Sequence, residues 1–371
     1  MGRSMQILAV CRQPLKNVQH AVRAYNIYKQ IGNLGVKVIY LDDWSPSFKI
    51  RRLRNVMNWL KIVFFKHISK NNSWLFVENV QSPLVAQVFR KIGMPVVLDI
   101  RDDLNLHASS MDVRISSLCS LEREYAQASW FDLAERIIVT SPSYAEYYSQ
   151  KHQGHYDSKI LVIMNASDPS RFLKRPLPEE FRLGILGGAN AAEGFEILIE
   201  AVRIARKKFP RLSVQIGYKL LPETRPYMNS IKSRYREDWI NYYNNINYLQ
   251  NSPEFYSSLD ICVIPRRKTL INELSTPSKL FDCMASARPL VVTNCKEQAR
   301  IVMEEDCGLV CDAVPEDMAA QIVRLLQDPK LACRLGENGR RAVELRHNWR
   351  HRAEGILKAI RHSSGEREAR P

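Results

Sequence analysis

Short runs rich in Val, Ile and Leu alternate along the chain with stretches in which apolar residues recur every three or four positions. Continuous apolar runs fit strands buried on both faces, and the helical stretches between them fit the crossovers that parallel strands require. In the first half this pattern predicts strands at residues 6–11, 36–41, 74–77, 96–100, 136–140 and 160–164. The rhythm then restarts, with strands expected at 182–186, 212–216, 246–248, 261–264, 290–293 and 308–310 and helices such as 196–208 and 317–326 between them. The fold class that follows is α/β, with parallel sheets covered by helices.

The restart implies two domains. Residues 172–181, FLKRPLPEEF, separate the halves, and their two prolines cannot donate to a ladder and hold their predecessors extended, so the segment reads as a linker. We expect a first domain over 1–175, a second over 176–345, and a C-terminal helix with a frayed tail over 346–371. Length agrees, since 371 residues exceed what one ordinary core accommodates. Ligands of open α/β sheets bind at the carboxyl ends of the strands, so two such domains facing each other would form a cleft.

Composition is that of a globular protein, 45% apolar and 25% charged. Cys11, Cys119, Cys262, Cys283, Cys295, Cys307, Cys311 and Cys333 are scattered, without a C-x-x-C pair, which suggests a reducing compartment and no structural metal. The start MGRSMQILAVC reads as a first core strand, not a signal peptide, and no apolar run reaches membrane-spanning length. The formal net charge of +15 calls for an anionic partner: nucleic acid, an acidic membrane or phosphorylated substrates. Seven Lys or Arg and no Asp or Glu fall within residues 49–70, KIRRLRNVMNWLKIVFFKHISK. Ile50, Leu53, Met57, Leu60, Phe64 and Ile68 recur there at helical spacing. Arg51, Arg52, Arg54, Lys61 and Lys66 supply cations and Trp59 an aromatic suited to a headgroup boundary, the pattern of an interfacial helix on anionic lipid. The alternative is a surface helix whose apolar stripe faces its own sheet. Nucleic acid is not favoured, because no recognition module accompanies the charge.

The chemistry concentrates in residues 276–293, TPSKLFDCMASARPLVVT. Ser275 or Thr276 can cap a helix whose first residue is Pro277. Ser278 and Lys279 then lie in its first turn, where free N–H groups and a partial positive charge suit a diphosphate. Asp282, three residues on, can accept from both hydroxyls of a ribose. The alternative reading is an exposed helical ion pair between Lys279 and Asp282. Upstream, the glycine-rich turn at Gly187, Gly188 and Asn190 allows close backbone approach to a phosphate, and Arg266 and Arg267 lie just after another expected strand end.

These residues in this order resemble glycosyltransferase family 4, particularly its bacterial polysaccharide and lipopolysaccharide branch. PSKLFDCMASARPLVV is similar to the family's P-x-K-x-x-E-x-M-A-x-G-x-P-V-V segment, with Asp282 in place of the ribose-binding glutamate. DIRDD at 99–103, NASDPSRF at 165–172, FYSSLDICVIP at 255–265 and LLQDPKLACRLGENGRRAV near the end also follow the family's order. The resemblance implies a GT-B fold, two Rossmann-like domains facing across a cleft with the C-terminal helix packing back on the first. It implies a hexosyltransferase-type enzyme, retaining and metal-independent, that needs no cofactor beyond a UDP- or GDP-linked sugar as co-substrate. The acceptor would be a glycan or polyprenyl-linked sugar, and the place the cytoplasm or the inner face of the cell membrane. Asp102 in DIRDD is the expected catalytic carboxylate of the first domain. Glu273 is expected beside the donor sugar, one position from the family's first glutamate. His107 is a further candidate near that loop. The family's G-R-x-x-x-x-K-G becomes GGANAAEG here, so the usual Arg and Lys are absent at positions 188 and 193, and Arg266, Arg267 and Lys279 are the replacement cations. Two alternatives remain open: a catalytically weak sugar-binding or partner subunit of the same fold, and a nucleotide-sugar epimerase.

Overall fold

The computed structural model describes residues 5–10, 22–41, 73–78, 86, 90–101, 103, 106, 117–174, 176–177, 180–244, 246 and 248–368. Among these residues the chain forms two compact units, each built on a parallel sheet of six strands. One unit comprises the described residues up to Met164 together with the final helix, and the other runs from Asn165 to Asn348. Segment 49–70, Asp102, His107 and the loop at 12–17 lie outside the described residues.

In the first unit β1 (Gln6–Val10), β2 (Lys37–Leu41), β3 (Ser73–Glu78), β4 (Val96–Ile100), β5 (Arg136–Val139) and β6 (Ile160–Val162) stand in the order β2-β1-β3-β4-β5-β6. Helices α1 (Val22–Asn33), α2 (Ser117–Leu133) and α3 (Pro142–Lys151) accompany them. Ile7, Leu8, Val77, Val97, Leu98 and Ile138 are all but inaccessible, which explains why these strands read as unbroken apolar runs. The buried Arg23 donates through Nε to Asp99 Oδ2 at 3.1 Å and through Nη2 to the Ile163 carbonyl at 2.7 Å, joining α1 to β4 and the end of the unit's last strand. Within DIRDD, Asp99 is therefore committed to Arg23. Arg101 pairs with the buried Glu78, and Asp103 accepts from Tyr148 Oη and Gln127 Nε2. These described charged residues of the motif hold the unit together.

The second unit contains β7 (Arg182–Gly188), β8 (Ser213–Lys219), β9 (Ile240–Asn244), β10 (Ile261–Ile264), β11 (Leu290–Thr293) and β12 (Gly308–Cys311) in the order β12-β11-β10-β7-β8-β9. Its helices are α4 (Phe195–Ala205), α5 (Arg225–Arg234), α6 (Tyr248–Ser257), α7 (Leu270–Leu274), α8 (Ser278–Ala285), α9 (Lys296–Glu304), α10 (Pro315–Gln327) and α11 (Pro329–Leu345). Leu183, Ile185, Leu198, Val202, Val214 and Ile216 make the centre of the core. The strand expected at 246–248 is corrected to Ile240–Asn244, with helix α6 beginning at Tyr248. Val214 N donates to the Trp239 carbonyl, which sets the next residues beside β8 as an edge strand; its polar, tyrosine-rich face hid it from an apolar pattern.

Residues 172–181, expected as a linker, are tied into the second unit. Phe172 is buried, and its carbonyl accepts from Arg340 Nη1 at 2.7 Å. The Pro176 carbonyl accepts from the fully buried Arg288, and Glu180 N and Arg182 N both donate to the Asp260 carboxylate. Pro176 relieves the backbone there of a donor it has no ladder to spend on. The last helix, α12 (Trp349–Glu368), packs against α1 of the first unit, and Arg352 donates to the Met164 carbonyl at 3.2 Å. Burial and the nearby Arg23 lower the Arg352 guanidinium to about 10. Among the described residues no helix is long and apolar enough to cross a membrane.

Candidate functional site

In the second sheet the chain runs outward from β7 through β8 and β9, then returns to build β10, β11 and β12 on the other side. The order therefore reverses between β7 and β10, and the crevice beyond the carboxyl ends of those two strands is where an open α/β sheet accepts a ligand. Gly187 and Gly188 end β7, and Pro265 and Arg266 follow β10.

The turn after β7 is shaped by local chemistry. Asn190 Oδ1 accepts from Ala192 N at 3.0 Å, capping a single 3₁₀ turn at Ala191–Glu193. Gly194 follows with φ of 71°, and a Cβ there would meet the Pro265 carbonyl oxygen at 1.9 Å. Only glycine permits both that conformation and that approach. Arg267 N and Asn272 Nδ2 both donate to the Ala192 carbonyl at 3.0 Å, locking this turn onto the loop after β10.

Helix α8 starts one residue later than its pattern predicts. Pro277 has ψ of 135° and stands outside as the cap residue, so the helix opens at Ser278, which is exposed. Neither expected side-chain cap operates: Ser275 Oγ accepts from Arg266 Nη2 at 2.9 Å, and the buried Thr276 Oγ1 has no hydrogen-bond partner among the described residues. The helix's first N–H groups are thus left without a side-chain cap. Leu280, Phe281 and Met284 anchor the buried face, at about 1.5–3 kcal/mol each.

Lys279 and Asp282 are both buried, so the reading of an exposed i,i+3 pair is overturned. They have separate partners. Lys279 Nζ pairs with the Glu193 carboxylate, which also accepts from the Gly188 backbone N–H. A Cβ on Gly187 would lie 2.8 Å from Lys279 Nζ and 3.0 Å from Glu193 Oε2, and one on Gly188 would lie 2.9 Å from Asn190 Nδ2. The two glycines are what let this group of atoms converge. Burial alone would raise the Glu193 carboxyl, but Lys279 and then Arg266 outweigh it and hold the group below its usual range.

Asp282 is 2% exposed. Its Oδ1 accepts from Ser167 Oγ at 2.5 Å, and its Oδ2 is buried with no hydrogen-bond partner among the described residues. Burial raises its carboxyl to about 7, against smaller lowering effects of Ser167 and Arg171. Asn165 Nδ2 donates to the Thr276 carbonyl at 2.8 Å, so the NASD run fastens both ends of the segment that carries Lys279 and Asp282.

The remaining expected residues divide. Arg266 is buried and faces Glu193 while bracing Ser275, so it joins Gly187, Gly188, Asn190 and Lys279. Arg267 is half exposed and pairs instead with Glu196 at 3.6 Å. Glu273 Oε2 accepts from Lys296 N at 3.0 Å and thereby caps α9. Its Oε1 is buried without a partner among the described residues. Three residues were not singled out from sequence: Glu193, Ser167 and Asn165. Glu193 had a signal, since it stands where a cation was expected.

Residues 180–328 match the family model described as Glycosyl transferases group 1. The match contains the whole glycine turn, the Arg266 loop and helix α8, so the crevice lies within the matched segment. No curated protein matches the chain by sequence. Solved structures resemble it over nearly its whole length. They include a sucrose-phosphate synthase from Thermosynechococcus elongatus, 17% identical with a TM-score of 0.69, covering 98% of this chain and 100% of that one. HepE from Anabaena, solved with UDP and glucose, is 14% identical with a TM-score of 0.72 over 96% of this chain and 99% of its own. A glycosyltransferase from Rickettsia africae is 13% identical with a TM-score of 0.68 over 97% and 99%. At such identities the likeness is one of fold, and two parallel six-stranded units with flanking helices match the two Rossmann-like domains of GT-B glycosyltransferases.

Proposed function

We propose that this protein transfers a hexose from a UDP- or GDP-linked donor to a glycan or polyprenyl-linked acceptor, as a glycosyltransferase of family 4 and its bacterial polysaccharide branch. The observation that carries the reading is the convergence of Lys279, Arg266 and the Gly187–Gly188 turn at the strand-order reversal, inside the segment that matches the group 1 model. Cleaving a sugar–diphosphate bond places negative charge on the leaving group, and positive groups fixed in a crevice stabilise it without reorganising. Here Lys279, the opened N-terminus of α8 and Arg266 would do this in place of a metal, with retention of anomeric configuration. Asp282 would meet the ribose and Glu273 the sugar. Asp102 would act from the first domain, and Arg267 and Ser278 would line the approach. HepE, solved with UDP-glucose, supports a uridine-linked donor as the first to test.

The test is a screen of UDP- and GDP-linked hexoses for slow hydrolysis without acceptor, followed by mass spectrometry with lipid-linked acceptors. Release of UDP or GDP is the expected result, whereas an epimerised donor would move the assignment to an epimerase. Nucleotide binding with no turnover on any acceptor would favour a weakly catalytic partner subunit, a reading the Glu193–Lys279 pair supports by neutralising the main cation.

The basic segment 49–70 supports an acceptor at a membrane surface, with the protein peripheral at the inner face. Seven cations within a segment whose apolar residues recur at helical spacing, each contributing about 1 kcal/mol near an anionic surface, are ample for binding. The chain is expected to float with anionic liposomes at low salt and to be released at high salt. A protein that stays at the bottom of the gradient at low salt would refute the membrane role.

A further inference from the structure

The anion cradle at the carboxyl end of β7 is already filled by the protein itself. Its positive groups are Lys279 Nζ, the Gly188 N–H and the adjacent Arg266 guanidinium, and what they hold is the carboxylate of Glu193. The carboxylate is delivered by a short turn with little freedom. Asn190 caps it, Gly194 closes it in the left-handed region, and Ala192 is bonded to both Arg267 and Asn272. The absent side chains at Gly187 and Gly188 leave room for an oxyanion against Lys279, and Glu193 Oε2 stands in that room.

We propose that Glu193 is a resident stand-in for the donor's phosphate and sets donor affinity, because the phosphate binds in the cradle only by displacing this carboxylate. The inference rests on the donor-site reading above and adds the residue that controls it. With Glu193 in place, Lys279 and Arg266 are offset by one carboxylate, so a diphosphate meets a single net positive charge and a carboxylate oxygen, Oε2, already seated on Lys279 Nζ. With Glu193 turned away, both cations and the backbone donor face the phosphate. The other charged groups packed on this turn do not replace it, since Glu196 on α4 is engaged by Arg267 and Tyr227. The side chain of Glu193 is 15% exposed, enough of an opening to swing outward by rotation about its own bonds.

Glu193→Gln keeps the shape and removes the charge, and Glu193→Lys places a third cation in the cradle. Calorimetry with UDP, GDP and inorganic pyrophosphate should show affinity for UDP or GDP and for pyrophosphate rising about tenfold or more in Glu193→Gln. The rise should be larger in Glu193→Lys, and both gains should shrink as salt is added. Because an unpaired Lys279 can weaken the fold, a second readout is the rise in melting temperature caused by pyrophosphate. That rise should be greater in Glu193→Gln than in the wild type whatever their starting points. Nucleotide binding to the wild type with equal or weaker binding to both variants would overturn the role of Glu193 and leave the donor site standing. Failure of UDP, GDP and pyrophosphate to bind wild type and variants alike would overturn both.

Discussion

Lys279→Ala is expected to lower affinity for the nucleotide-sugar donor about a hundredfold or more and to bring donor hydrolysis below detection. The size follows from the position of the ammonium: it is buried, lies in the first turn of α8 and touches the glycine turn, where removing one partner of a desolvated charge contact costs about 2–5 kcal/mol. The substitution has a second consequence, because the half-buried Glu193 is left beside one cation fewer and the fold should lose about 2 kcal/mol. The two effects separate in the double variant Lys279→Ala/Glu193→Gln. Stability should return in large part, since the orphaned charge is gone, while donor binding stays weak, since the cation is gone as well. Unchanged donor affinity and turnover in Lys279→Ala would mean that the site has been misplaced. Recovery of donor binding in the double variant would mean that Lys279 acts only by restraining Glu193.

The expectations that held are those where a single physical demand dominated the local sequence. Val96–Ile100, Ile261–Ile264 and Leu290–Thr293 are buried on both faces, so their apolar runs carry the strand limits with no competing signal. β9 lies six residues before the strand its sequence suggests, because an edge strand is held by backbone pairing to β8, which a run of Asn and Tyr permits but does not announce. Pro277 was expected inside α8, yet the chain keeps it extended so that Arg266 can brace Ser275. That is a contact between loops nine residues apart which no capping rule contains. The pairing of Lys279 was missed for a related reason. Spacing along a helix suggested Asp282 as its neighbour, whereas its partner sits 86 residues earlier, brought in by the parallel sheet. The glutamate at position 193 was visible as the loss of a cation. Its positive content, an anion supplied to the very cations that remain, emerges only when β7 and α8 are seen to meet.

Asp282→Asn is expected to change the pH dependence of stability more than stability itself. The wild-type carboxyl is raised from its ordinary value of 3.8 to about 7 because burial penalises the charge. A raised folded-state pKa on an acid means that the unfolded chain ionises first as pH increases. The favourable contribution is complete below about pH 4 and is lost as pH rises through about 7, a window of about 3 units or roughly 4 kcal/mol at the usual 1.36 kcal/mol per unit. Asparagine can still accept from Ser167 Oγ, the 2.5 Å contact that orients the side chain, but carries no charge to desolvate. Denaturant unfolding of the two proteins should therefore give curves that diverge with pH, the variant gaining on the wild type between about pH 4 and 7 and running parallel to it above. Parallel behaviour across that whole range would show that Asp282 titrates normally. The same substitution bears on the ligand, because two ribose hydroxyls call for an ionised acceptor. If Asp282 meets the ribose, wild-type nucleotide binding at pH 6 should release a proton, and Asp282→Asn should bind without that release and more weakly. A carboxyl that is costly to ionise in the empty site becomes easier to ionise once hydroxyl donors reach its unpaired Oδ2, so the burial that destabilises the free protein makes the site responsive to its ligand.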